Sequence, residues 1–184
     1  MKRINILLFC SLFFLQCGSI KPEHDQTILA LQLCELYGSD QSIRSKTFAQ
    51  KNSKLLPLLD SINFSKVVSF VQTYGMPNET LLGTANYHVE CVKLAAFSIL
   101  LHNPDKLVLD ETYYALFLNE VQAGRMKPEF FALLLDKYYW SRGENLVYGS
   151  QFGLPCLSEK ATVNQRRKAI GLEELADSKF KVCE

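Results

Sequence analysis

ANYHVECVKLAAFSILL, residues 85–101, is the stretch whose reading decides the fold class. From Cys91 to Leu101 only Lys93 and Ser98 are polar. No Gly or Pro interrupts the run, and it is too long for one strand, so it reads as a helix. A helix that is apolar nearly all round is buried on most of its sides. Residues 85–101 are therefore expected to form the central helix of the molecule.

Working outward, the flanking segments also carry helical punctuation. In LDETYYALFLNEVQAG, residues 109–124, Asp110 is placed to cap a helix. Leu109 and Tyr114 stand at the staple positions around it, and Gly124 ends the run. Pro128 suits the first position of a further helix, which reaches about Ser141 before Gly143. A last helix begins near Val163 and breaks at Gly171, with a short turn over residues 172–178. Upstream, Leu29, Leu31, Leu33, Cys34 and Leu36 mark a first helix from about Thr27 to Ala49, with Gly38 as a possible kink. A second apolar piece starts near Lys54 and includes Pro57. Val67, Val68, Phe70 and Val71 face inward on a helix from about Ser65 to Tyr74, which Gly75 and Pro77 terminate. The only extended piece expected lies around Asn145–Phe152. The fold class is all-α: a single irregular or orthogonal bundle of about six or seven helices around helix 85–101.

The chain begins MKRINILLFCSLFFLQCGSI. Lys2 and Arg3 precede an apolar run, Ile4 to Leu15, of signal-peptide length; spanning a bilayer takes about 20 such residues. The run meets Cys17-Gly18-Ser19, which looks like a bacterial lipoprotein processing site, although Gln16 stands where a small residue is usual. The expected division is a signal peptide at 1–16, a lipidated Cys17 with a short tether at 17–25, and one helical domain at 26–184. The protein is then exported and held in the bacterial envelope by the lipid on Cys17. The alternative is a secreted protein or an uncleaved N-terminal anchor. Loss of Lys2 and Arg3 takes the formal charge from +1 to −1, so no electrostatic case exists for nucleic acid as a partner.

Six cysteines are present. With Cys10 in the signal and Cys17 at the lipid site, Cys34, Cys91, Cys156 and Cys183 remain, and four cysteines allow three connectivities. Cys34 and Cys91 fall in apolar helical runs and read as small core residues. Cys156 and Cys183 fall in loop-rich chain, where export makes a disulfide possible; two free thiols are the other reading. His88 and Cys91 have the spacing of half a zinc site, but no second pair completes it, and His102 is roughly 21 Å along the helix from His88. His88-Val89-Glu90 with Pro155-Cys156 matches only part of a zinc-deaminase signature, since Glu159 replaces the second Cys. No phosphate-binding loop, nucleophile elbow or dinucleotide fingerprint occurs. No metal and no cofactor is assigned.

Asp40, Gln41 and Arg44 can neighbour one another on one helix face. Asp136, by its place on the helical wheel, reads as partly exposed. Arg166 and Arg167 offer either an anion site or a charged surface.

The ordered series Asp40-Gln41…Arg44, Asp60…Asn63, Tyr74-Gly75-Met76-Pro77, His102…Asp105, Tyr148-Gly149-Ser150-Gln151 and Arg166-Arg167…Gly171-Leu172 resembles an uncharacterised bacterial family classed as a domain of unknown function. Its pattern is DQ-x-x-R, YG-x-P, H-x-x-D, YG-[ST]-Q and RR-x-x-x-GL, and the likeness spans roughly residues 27–178. The resemblance implies positions rather than a reaction: one polar cluster in a helical shell, either a site or a buried hydrogen-bond network. As a site, it has His102 and Asp40 as the acid/base pair. Arg44 and Arg166 hold an anionic group, and Gln41, Tyr148 and Gln151 complete the wall, for small-ligand binding or hydrolysis. As a network, it belongs to a non-enzymatic envelope interaction module with a protein partner. On the site reading, the YGSQFG segment packs Tyr148 and Gln151 near His102, and its glycines bring the backbone close to the first helix.

Overall fold

A computed structural model describes residues 23–183. The expected signal peptide and Cys17 lie outside these residues. Ten α-helices are present among them, with no strand beyond one isolated bridge between Cys156 and Lys181. They are α1 (Glu23–Ile43), α2 (Lys46–Lys51), α3 (Leu56–Tyr74), α4 (Glu79–Leu82), α5 (Thr84–Tyr87), α6 (Glu90–His102), α7 (Pro104–Leu109), α8 (Glu111–Gln122), α9 (Pro128–Ser141) and α10 (Lys160–Ala169). The all-α reading holds. The helices beyond the expected six or seven are short ones, α2, α4, α5 and α7, of four to six residues. None of the described helices is long and apolar enough to cross a membrane.

The central helix is shorter than expected. Val89 is extended and caps α6, so residues 84–87 form a separate turn. From there Val92, Ala95, Ala96, Ile99 and Leu100 are buried, as the apolar run requires. The first helix starts four residues earlier than expected, inside the supposed tether, and stays unbroken through Gly38. It stops at Ile43, and Ser45 caps α2 by accepting the Phe48 N–H. The apolar piece expected from Lys54 and the helix expected from Ser65 are one element, α3, and Pro57 sits in its first turn, where a missing N–H costs nothing. Asp110 caps α8 through the Thr112 N–H at 2.9 Å, but Leu109 is 68% exposed and makes no buried staple.

α1 packs chiefly on α6 and also on α3, while α7 lies against α9. The larger core joins α3, α6, α8 and α9 through Phe64, Ile99, Leu100, Phe117, Phe131 and Leu134. A smaller one joins α1, α3, α4 and α6 through Leu29, Leu33, Phe70, Leu82 and Val92. Cys34 and Cys91 are not separate core thiols: they form a disulfide, Cα–Cα 4.7 Å, that ties α1 to α6. Two helices packed face to face bring facing cysteines within reach, a juxtaposition that sequence spacing does not show. Cys156 and Cys183 form a second disulfide that holds the C-terminal segment. Beside it, Lys181 donates to Pro155 O and accepts from Leu157 N–H.

Candidate functional site

Two helix ends meet at the site. Asp40 lies near the C-terminus of α1, and His102 is the last residue of α6. The α1–α6 packing, stapled by Cys34–Cys91, places Asp40 Oδ1 3.1 Å from His102 Nδ1. Asp40 is wholly buried and accepts from Arg44 Nη2 at 3.1 Å and from Gln41 Nε2 at 2.9 Å. Arg44 also pairs with Asp60 of α3. Burial pushes the Asp40 carboxyl up, but the hydrogen bonds from His102 and Arg44 and their charges outweigh it and hold the group below the usual carboxylate value. Lys137 of α9 lies near this cluster: burial lowers its ammonium pKa, and the Arg44 guanidinium lowers it further.

The histidine is less enclosed than its partner. The His102 side chain keeps 24% of its surface in solvent, and its Nε2 has no hydrogen-bond partner among the described residues. Two donors inside the cluster are also unmatched: Arg44 Nε and Asn63 Nδ2 are buried without an acceptor. Asn63 itself is buried and accepts from Ser39 Oγ at 3.0 Å. The arrangement holds the imidazole ring against a fixed carboxylate through one nitrogen and leaves part of the ring in solvent.

The other expected site residues go elsewhere. Tyr148 and Arg166 line a separate cavity of about 170 Å³ with Tyr114 and Tyr139. Burial, with Tyr114 beside it, pushes the Tyr148 phenol well above its ordinary range. Gln151 is exposed on a third surface, together with Phe97, Phe130 and Leu133. The glycines of YGSQFG do not approach α1: a Cβ on Gly149 would meet Leu175 and Pro155 instead.

Asp136 is the residue that sequence reasoning misplaced. It is wholly buried, not partly exposed, and its carboxylate accepts three backbone N–H groups, from Val147 at 2.8 Å, Tyr148 at 2.9 Å and Ser150 at 2.7 Å. The following irregular segment covers the face of α9 that the helical wheel leaves polar. Arg167 rather than Arg166 is hydrogen-bonded to this segment, donating from Nη1 to Tyr148 O, and it ties the segment to the chain after α10 by donating from Nε to Glu173 O. The signal available in the sequence was a lone Asp inside ALLLDKYYW, eleven residues before Val147. His88 pairs with Glu79 at 3.4 Å, and Cys91 is in its disulfide. Among the described residues no group of three or more His, Cys, Asp or Glu side chains converges on one point. Comparison of the chain with protein-family models, with curated proteins and with solved structures finds no match.

Proposed function

We propose that this chain is an exported bacterial lipoprotein of the family its motifs resemble, and that the Asp40–His102 pair is the centre of a small-ligand site with hydrolytic chemistry. The observation that carries the reading is a fully buried Asp40 carboxylate on Nδ1 of a partly exposed histidine. Asp40 fixes the ring, and its charge favours the imidazolium that forms when Nε2 accepts a proton from an attacking water. Two disulfides support the export half, since such bonds persist in oxidising compartments. The N-terminal Cys17 motif supports the anchor.

A second reading has its own observation. Arg44 and Gln41 are both engaged by Asp40, so neither is held ready for a substrate anion. On that reading the cluster locks α1, α3 and α6 together, and the protein is a non-enzymatic envelope interaction module.

The test is a panel of chromogenic carboxylic and phosphoric esters, run on the full chain and on His102→Gln and Asp40→Asn. Turnover that falls by about 10²–10⁴ in both variants, with the fold retained, is the expected result. No turnover by the parent chain, with variants that only lose stability, selects the interaction module. Metabolic labelling with a fatty-acid tag, lost in Cys17→Ser, checks the anchor.

A further inference from the structure

Away from His102, a groove of about 770 Å³ runs between the start of α9, the 149–154 segment and the C-terminal residues. That volume is within the range of small-molecule sites, roughly 300–1,000 Å³. Its floor is apolar, built on the stacked rings of Phe97 and Phe130, centroids 4.6 Å apart, with Leu133 and Leu175. Its rim is cationic. Lys127 and Lys179 are exposed, and their ammonium groups have no hydrogen-bond or ion-pair partner among the described residues. Among the described residues Glu129 is the one carboxylate lining the groove, and its charge acts on Arg167, which lines it too. Two lysine charges are therefore left unbalanced. Ser150 Oγ is buried without a partner among the described residues, and Gln151 beside it is exposed.

An apolar trough with two unpaired cations at its rim matches one class of molecule. We propose that this groove binds a single-chain anionic amphiphile, a fatty carboxylate. The chain lies along Phe97, Phe130 and Leu133, and the carboxylate meets Lys127 and Lys179. Apolar burial supplies most of the affinity, and the lysines select the charged head. The inference does not depend on any activity at His102.

The test is photo-crosslinking of the full chain in its own membranes with a diazirine-bearing dodecanoate, mapped by peptide mass spectrometry. Expected is labelling in 127–133 and 150–154, displaced by excess dodecanoate. Charge reversal by Lys127→Glu or Lys179→Glu, surface changes that leave the core intact, is expected to reduce it about fivefold each. Equal labelling by the uncharged dodecanol analogue, or no effect of either reversal, would overturn the proposal. So would preferential labelling by a photoreactive diacyl phosphatidylglycerol, which assigns the groove to the bilayer. Cross-links from the groove to residues 4–15, or to a second copy, would show that the chain itself fills it.

Discussion

Asp136 and Tyr148 are joined by a buried hydrogen bond, the Tyr148 N–H to Oδ1 at 2.9 Å, and the same carboxylate also takes the N–H groups of Val147 and Ser150. One side chain on α9 thus gives shape to a segment with no regular structure of its own. Asp136→Asn keeps one acceptor oxygen and strands at least one N–H; Asp136→Ala strands all three. Bonds to a charged acceptor contribute about 1.5–3 kcal/mol each. Asn is expected to cost about 2 kcal/mol and Ala about 4 kcal/mol in urea unfolding. Fast amide exchange confined to 147–150 is expected in Asp136→Asn.

Gly149 has φ +66°, and a Cβ there would lie 2.6 Å from Leu175 Cδ1 and 2.9 Å from Pro155 Cδ. The proline ring cannot rotate away. Gly149→Ala combines strained backbone with overpacking and is expected to lower stability by about 2–4 kcal/mol. A melting temperature equal to that of the parent would show that the segment shifts freely.

The Cys34–Cys91 bond closes 57 residues and ties together the two helices that carry Asp40 and His102. Its removal in Cys34→Ser/Cys91→Ser is expected to cost about 2–4 kcal/mol. The loss should be matched by mild reduction of the parent chain. Cys156→Ser/Cys183→Ser is expected to free only the C-terminal segment, read as faster proteolysis after residue 170 with α1–α9 intact.

Acid sensitivity follows from two buried carboxylates. Glu120 is raised by burial but lowered more by Arg125 and by the Met76 N–H, which it accepts at 2.8 Å. Asp40 is likewise held below its ordinary value. A carboxylate whose folded pKa is depressed adds stability that is present above its unfolded pKa, about 4, and is lost as pH falls through the folded value. Unfolding free energy is expected to be flat from pH 7 to about 5 from these groups and to fall below about pH 4. In Glu120→Gln and Asp40→Asn that acid slope should be shallower, at lower stability near neutrality. An unchanged slope in both would place the acid sensitivity elsewhere.

Local patterning was enough for the helical class and for some of the helix ends. The apolar run 91–101, the Asp110 cap and Pro128 at the head of α9 act within a few residues, and the structure keeps each. What the chain alone did not show is whatever depends on which surfaces meet. Cys34 and Cys91 look like ordinary core residues until α1 lies on α6. Asp136 looks exposed on its own helix, because the segment that covers it is irregular and has no periodicity to read. The polar residues that the motif series grouped as one site separate into three places, around His102, around Tyr148 and Arg166, and at Gln151. Sequence order carries no distances. Asp40 and His102 are 62 residues apart and in contact, whereas Tyr148 and Gln151, three apart in a bend, line different surfaces. The helical class and part of its punctuation were legible in the chain, because those forces are local. Only the tertiary structure decided which charges are buried together, because burial is a property of packed surfaces.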